Sequence, residues 1–220
     1  MNRLILRFAY PLTAVILAIF AWVVVQRIVR GDDLTVLAVT AAVVWIAGVP
    51  VFIWLWPRIT VGGFKRAILR RGFGGGPIPV NTLYAVPESS SSAAAAGSVL
   101  ATGADDVLYV GGWLDLTDGP QVLHVPDSAG RYYSVQLTDP ADGADFAYVG
   151  KRTTGTAAGD FLITGRRWAG TVPEGMTRVA SPTDSVLVIG RVFVADESDQ
   201  QAAYDVARCI RLTPLDASPR

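Results

Sequence analysis

Residues 111–127 read GGWLDLTDGPQVLHVPD and hold three aspartates, Asp115, Asp118 and Asp127, beside the chain's only histidine, His124. Two carboxyls about 5–10 Å apart across a cleft could cleave a glycosidic bond, and an imidazole could act as general base. A plainer reading competes. Asp118-Gly119 is a hairpin dipeptide, and Asp127 opens a turn that ends at Gly130, settings in which aspartate caps its own backbone. Asp115 is the exception, because alternation puts it on one strand face with Trp113 and Thr117 while Leu114 and Leu116 take the other. A single histidine excludes a histidine-rich metal site, and no G-x-S-x-G elbow accompanies it.

Other groups call for the same weighing. DPADGAD carries Asp139, Asp142 and Asp145, but its spacing is not that of a D-x-D-x-D-G calcium loop, so a turn at Asp142-Gly143 is the preferred reading. Gly74–Gly76 lack the Lys-Ser/Thr of a phosphate-binding loop and read as a hinge. No metal or cofactor is expected. Tyr109, Trp113, Tyr132, Tyr133, Gln136 and Tyr148 fall on neighbouring expected strands. Tyr132 and Tyr133 must point to opposite faces, so at least one is available to a pocket for a sugar or other small ligand. The same residues would equally serve a sandwich core with hydroxyls at its rim.

The elements that would position these groups are short β-type runs near 107–114, 121–125, 132–137, 146–150, 160–164, 176–180 and 185–194. Turn signals separate them every 8–14 residues, which points to a mainly β fold, an antiparallel sandwich or barrel, of which a jelly-roll-like sandwich is the expected form. One helix follows. Ser198 and Gln201 have capping-box spacing, and Ala203, Val206, Ala207 and Ile210 form its apolar stripe. The β domain is expected over 77–215, with a low-complexity Ser/Ala loop at 87–97 (PESSSSAAAAG) and a tail at 216–220.

Ahead of it the chain changes character. The whole sequence is 51% hydrophobic with mean hydropathy +0.37, and the excess lies near the start. Residues 8–25 and 34–56 contain no charge, and roughly 20 apolar residues span a bilayer core of about 30 Å. The first run lacks a clean small-x-small cleavage site and is longer than a signal-peptide core, so it reads as a retained helix. Two spans at about 4–25 and 34–56, joined by a short loop, predict a transmembrane helical hairpin over 1–57. Tyr10, Trp22, Trp54 and Trp56 lie near the helix ends, where amphipathic rings collect.

The formal net charge of zero hides a split. Residues 1–72 hold nine Lys/Arg against two Asp, a net of +7, which leaves −7 for the rest. An acidic folded domain argues against a nucleic-acid partner. The single Cys209 excludes an intrachain disulfide. Seven bases (Arg3, Arg7, Arg58, Lys65, Arg66, Arg70, Arg71) flank the two spans on the terminal sides, against Arg27 and Arg30 in the loop. By the positive-inside rule this multi-pass arrangement places both termini in the cytoplasm. Residues 58–76 form a basic juxtamembrane segment and Gly-rich hinge. There Phe64, Ile68 and Leu69 share a helix side, and Lys65, Arg66, Arg70 and Arg71 are candidates for contact with an anionic membrane surface.

LYVGGWLDLTDGPQVLHVPD, RYYSVQLTDP, FAYVGKRTTG, SVLVIGRVFV and RLTPL occur in that order, and over about residues 77–215 the chain resembles the domain-of-unknown-function family 1254. The resemblance implies a β-sandwich, export across the membrane (which would put the soluble domain outside the cytoplasm) and a companion jelly-roll domain of family 1214. The family's N-x-D-T-L-Y-S element falls on Ala104, Asp106, Val107, Leu108, Tyr109 and Val110, keeping Asp106, Leu108 and Tyr109 but losing the asparagine, threonine and serine.

The expectation is a membrane-anchored interaction or ligand-binding module using Tyr109, Trp113, Tyr133, Gln136 and Tyr148. It would be an accessory subunit of a membrane or bacterial cell-envelope complex, with the lipid bilayer, that complex or a companion jelly-roll protein as partner. The alternative is a hydrolase acting on a glycan or similar polar substrate, with Asp106, Asp115 or His124 as acid or base.

Overall fold

A computed structural model describes residues 18–19, 21–23, 25–31, 33–73, 76–87, 104 and 106–215. Most of the first apolar run, residues 88–97 of the Ser/Ala loop and the 216–220 tail lie outside the described residues. The chain divides into two units, Met1–Phe64 and Lys65–Arg220.

In the first unit, residues 18–19, 21–23 and 25–29 are helical. Helix α1, Leu34–Arg71, begins here. The expected second span stopped at residue 56, yet the helix runs through Pro57 to Arg71. A helical proline removes one backbone bond. Local side chains add bonds beside that break: Arg58 Nη1 donates to the Trp54 carbonyl at 2.6 Å and Thr60 Oγ1 to the Trp56 carbonyl at 2.9 Å. Val39, Trp45, Ile46 and Ile53 are more than half exposed. By length and composition the Ala38–Arg71 stretch, which holds an 18-residue window of mean hydropathy 2.2, can cross a membrane. Gly72 ends the helix at φ +63°, its N–H donating to the Ile68 carbonyl at 2.9 Å. A Cβ there would lie 1.8 Å from the Gly76 carbonyl oxygen, so no other residue fits without moving backbone.

The second unit is mostly sheet. Its strands are β1 (Leu83–Ala85), β2 (Val107–Asp115), β3 (Gln121–Val125), β4 (Tyr133–Thr138), β5 (Asp145–Gly150), β6 (Gly159–Thr164), β7 (Met176–Ala180), β8 (Ser185–Phe193) and β9 (Arg211–Pro214). They form a five-stranded sheet, β1-β2-β8-β4-β5, and a four-stranded sheet, β7-β6-β3-β9. Leu108, Val110 and Leu114 of β2, Val186, Val188 and Val192 of β8, and Val135 and Leu137 of β4 bury one face of the first sheet. They join a single core with Leu123, Val125, Phe161 and Ile163 of the second, a sandwich-like arrangement.

One pair departs from the antiparallel expectation, for β6 and β7 run parallel. A parallel pair needs a crossover, and residues 165–175 provide it. Strands β1 and β9 are too short to show alternation and exist by pairing with β2 and β3.

Helix α2, Gln200–Cys209, places Ala203 and Ala207 in the core, with Ile210 just beyond its end. Its start differs from the expected capping box. Ser198 donates to Asp196, which caps a short 3-10 turn, and the N-cap of α2 is Asp199, whose side chain makes no cap bond. Asp199 instead takes the Arg131 guanidinium at 2.5 and 2.6 Å and the Ala195 N–H at 2.9 Å. Arg131 and that N–H hold its carboxyl well below the ordinary carboxylate value. A depressed pKa contributes stability that is fully present above the unfolded value, about 3.9, and lost as pH falls through the folded one. Asp199→Asn is therefore expected to flatten the loss of urea midpoint between about pH 4 and pH 2. An acid limb as steep as that of the natural chain would refute the assignment.

Candidate functional site

The outer face of the five-stranded sheet gathers most of the expected ligand residues. Register sets Tyr109 opposite Arg191 and Arg191 opposite Ser134. One step along, Ile189 faces Gln136 and Gln136 faces Tyr148. A further step sets Trp113 opposite Leu187, Leu187 opposite Thr138, and Thr138 opposite Asp145.

These polar groups form one connected strip. Arg191 Nη1 donates to Gln136 Oε1 at 2.9 Å, and its guanidinium carbon lies 5.8 Å from the Tyr109 ring centroid. Gln136 Nε2 donates to Asp145 Oδ1 at 2.8 Å and Thr138 Oγ1 to the same oxygen at 2.6 Å, while the Tyr148 hydroxyl donates to Asp145 Oδ2. Burial pushes the Asp145 carboxyl up. Hydrogen bonds from Thr138, Tyr148 and Gln136, with the charge of Arg191, outweigh that and leave it below its ordinary value. The bond to Asp145 in turn raises the Tyr148 phenol. Asp145 is thus fixed as an acceptor, and Gln136 can present only its carbonyl to Arg191.

Trp113 shares this face but is 1% exposed. Its Nε1–H donates to Ser185 Oγ at 2.7 Å, and the Lys65 ammonium lies 5.4 Å from its ring. It is a buried residue of the same face, paired with Leu187 on β8. Tyr133 belongs elsewhere, because its side chain enters the core on the opposite face, where burial raises its phenol against the pull of Thr154. Of the basic residues, Lys65 is half-buried against Trp113, whereas Arg66, Arg70 and Arg71 are exposed.

The three acid–base candidates do not converge. Asp106 precedes β2 and Asp115 ends it. Nine residues at about 3.3 Å each put them roughly 30 Å apart, too far for a glycosidase pair. Asp115 Oδ1 accepts from the Thr117 hydroxyl and, at 3.0 Å, from its N–H, and the hydroxyl bond is the main reason its carboxyl sits below the ordinary value. Its backbone is clamped by Asn81, which accepts from the Asp115 N–H at 2.8 Å and donates to its carbonyl at 3.0 Å.

His124 lies on the outer face of the other sheet, between Asp160 (Nδ1 to Oδ1, 2.7 Å) and Thr213 (Nε2 to Oγ1, 2.6 Å). Carboxylate, imidazole and hydroxyl therefore stand in line across β6, β3 and β9. Asp139 and Asp142 serve turns, bonding the N–H groups of Ala141 and Ala144. A separate cavity of about 180 Å³ is bounded by Leu116, Thr117, Asp118, Gly165, Trp168 and Asp184. It is smaller than the roughly 300 Å³ of a common ligand pocket, and of the aspartates weighed from the 111–127 stretch it is lined by the turn residue Asp118 alone.

Arg191, Asp145, Thr138 and Ser134 were not among the expected ligand residues. Arg191 carried a signal: it is the one charge in the apolar strand SVLVIGRVF, at the centre of a sheet.

The family model described as "Protein of unknown function (DUF1254)" matches residues 80–214. Among solved structures, the VPA0106 protein from Vibrio parahaemolyticus is similar, with TM-score 0.54 and 22% identity over 73% of this chain and 37% of that one. This chain thus spans little more than a third of that relative, and the likeness is one of fold. A putative uncharacterized protein from Burkholderia cenocepacia matches at TM-score 0.35 and 16% identity, over 52% of this chain and 31% of its own. No protein of curated function matches.

Proposed function

The chain belongs to the DUF1254 family, and from that premise we propose that it is a membrane-anchored ligand-recognition module, an accessory subunit of a membrane or envelope complex. The observation that carries this reading is the strip itself. Gln136 and Tyr148 meet on one sheet face with Arg191 and Asp145; Tyr148 remains 44% exposed, whereas the Tyr109 ring is buried at 4% and backs Arg191 rather than meeting solvent. Fixed polar groups beside aromatic surface orient a small ligand.

In this reading the sandwich is of jelly-roll type, α1 and the apolar run at 4–25 form the transmembrane hairpin, and the basic flanks keep both termini in the cytoplasm. The bilayer and a companion jelly-roll protein are its partners. Washing membranes with alkaline carbonate is expected to leave the chain in the pellet, and protease added to intact cells to leave it uncut. Cleavage from outside would instead favour the extracytoplasmic placement implied by the family resemblance.

A second reading rests on the Asp160–His124–Thr213 alignment, which would let His124 serve as a general base in hydrolysis of a polar substrate. One purification separates the two. The full chain in detergent, titrated with glycans and small polar metabolites, is expected to bind without turnover, and Tyr148→Ala and Gln136→Ala to weaken binding about tenfold. Ester or glycan cleavage abolished by His124→Ala would replace the first reading by the second.

A further inference from the structure

The strip has a charged end whose donors are not used up. Arg191 sits half-buried in β8, the middle strand of its sheet. A guanidinium has five N–H donors. Among the described residues one contact to protein oxygen is made, to Gln136 Oε1, and the Tyr109 ring lies alongside. Among the described residues no carboxylate forms an ion pair with Arg191. Asp145 acts on it only through space, since its oxygens are taken by Thr138, Gln136 and Tyr148. Directly across on β4 stands Ser134, whose hydroxyl makes no hydrogen bond among the described residues. Paired positions in a sheet bring Cβ atoms to about 5 Å, so the uncommitted hydroxyl and guanidinium can hold one group between them.

Arg191 is partly exposed and contacts no anion among the described residues, so its remaining N–H donors are open to an anionic ligand. Resting on the ligand-recognition reading, we infer that Arg191 and Ser134 bind the carboxylate of a small organic acid, whose body lies over Ile189 and the exposed ring of Tyr148. Charge decides between oxyanions. Arg191 contributes one positive charge and the Asp145 carboxylate stands nearby, so added negative charge is opposed, and a phosphate carrying about −1.5 to −2 at neutral pH is disfavoured more than a monoanion. Geometry agrees, because a guanidinium fork fits a planar carboxylate through two parallel bonds. The relay from Asp145 through Gln136 sets the orientation of that fork before the ligand arrives.

The test is calorimetric titration of the full chain in detergent micelles with four probes: D-glucuronate, benzoate, D-glucose and inorganic phosphate. The carboxylates are expected to bind at least tenfold tighter than glucose or phosphate, and to weaken as salt rises. Arg191→Gln should abolish carboxylate binding. Arg191→Lys, which keeps the charge but loses the fork, should weaken it about tenfold, and Ser134→Ala about threefold. Thermal melts of each variant identify any that fail to fold; if Arg191→Gln does not fold, the Arg191→Lys and Ser134→Ala variants decide. Carboxylate binding unchanged in the folded Arg191 variants, or phosphate bound more tightly than either carboxylate, overturns the inference. Glucose binding that depends on Tyr148 and Gln136 but not on Arg191 overturns it while leaving the ligand-recognition reading intact. No binding by any of the four sinks both.

Discussion

Trp113→Ala will destabilise the sandwich by about 3–5 kcal/mol, the range for removing a buried large aromatic side chain. Three losses combine. The indole is 1% exposed, so its removal leaves a cavity. Ser185 Oγ loses the donor that now reaches it at 2.7 Å. The Lys65 ammonium loses the ring 5.4 Å away, a contact of about 0.5–1 kcal/mol where it is partly exposed. For a domain of this size each kcal/mol lowers Tm by roughly 2–4 °C, so a fall of about 10 °C is expected. Trp113→Phe separates the causes, because it keeps most of the packing and forfeits the N–H, and should cost about 1–2 kcal/mol. Thermal and urea unfolding of the full chain in detergent measures both. A loss below about 1 kcal/mol for the alanine variant would refute its role as a buried packing residue of the sandwich.

Gly150→Ala is expected to cost about 3 kcal/mol and to take ligand binding with it. A Cβ at Gly150 would lie 2.4 Å from the Tyr133 carbonyl oxygen and 2.8 Å from the Ser134 Cα. Both are backbone atoms of the neighbouring strand, so no rotamer change relieves the collision and β4 and β5 must part. Separation pulls Tyr148 and Asp145 away from Gln136 and Thr138, and with them the fixed carbonyl that orients Arg191. Gly159→Ala is the internal control. Its Cβ would meet the far edge of the Phe161 ring at 3.3 Å, which can shift, so the cost should stay near 1 kcal/mol. Equal stability of the two variants, by urea unfolding, would refute the strand-separation mechanism.

Much of the second unit was legible beforehand because alternation is a local signal. Strand β8 reads SVLVIGRVF, and Val186, Val188 and Val192 enter the core as a period of two requires. The apolar run of 34–56 was equally plain, since uncharged length shows in any window. Other features were not written locally. Strand β9 is four residues long and holds its place through β3 alone, and the parallel β6–β7 pair depends on where an eleven-residue crossover returns.

The site shows the division most sharply. Strict alternation along β5 would put Phe146 on the same side as Tyr148 and turn Asp145 into the core. The pairing shifts between Leu137 and Thr138, so that Leu137 faces Ala147 while Thr138 faces Asp145. This bulge sends Phe146 toward the core and Asp145 outward to Gln136, Thr138 and Tyr148. The sequence by itself determined the residue types, their periodicity and hence a β lobe that follows an apolar helix in the chain. Only the tertiary structure decided that Arg191, Gln136 and Asp145 act together. A one-residue shift in register moves a side chain to the opposite face, and register is set by long-range pairing rather than by neighbours in the chain.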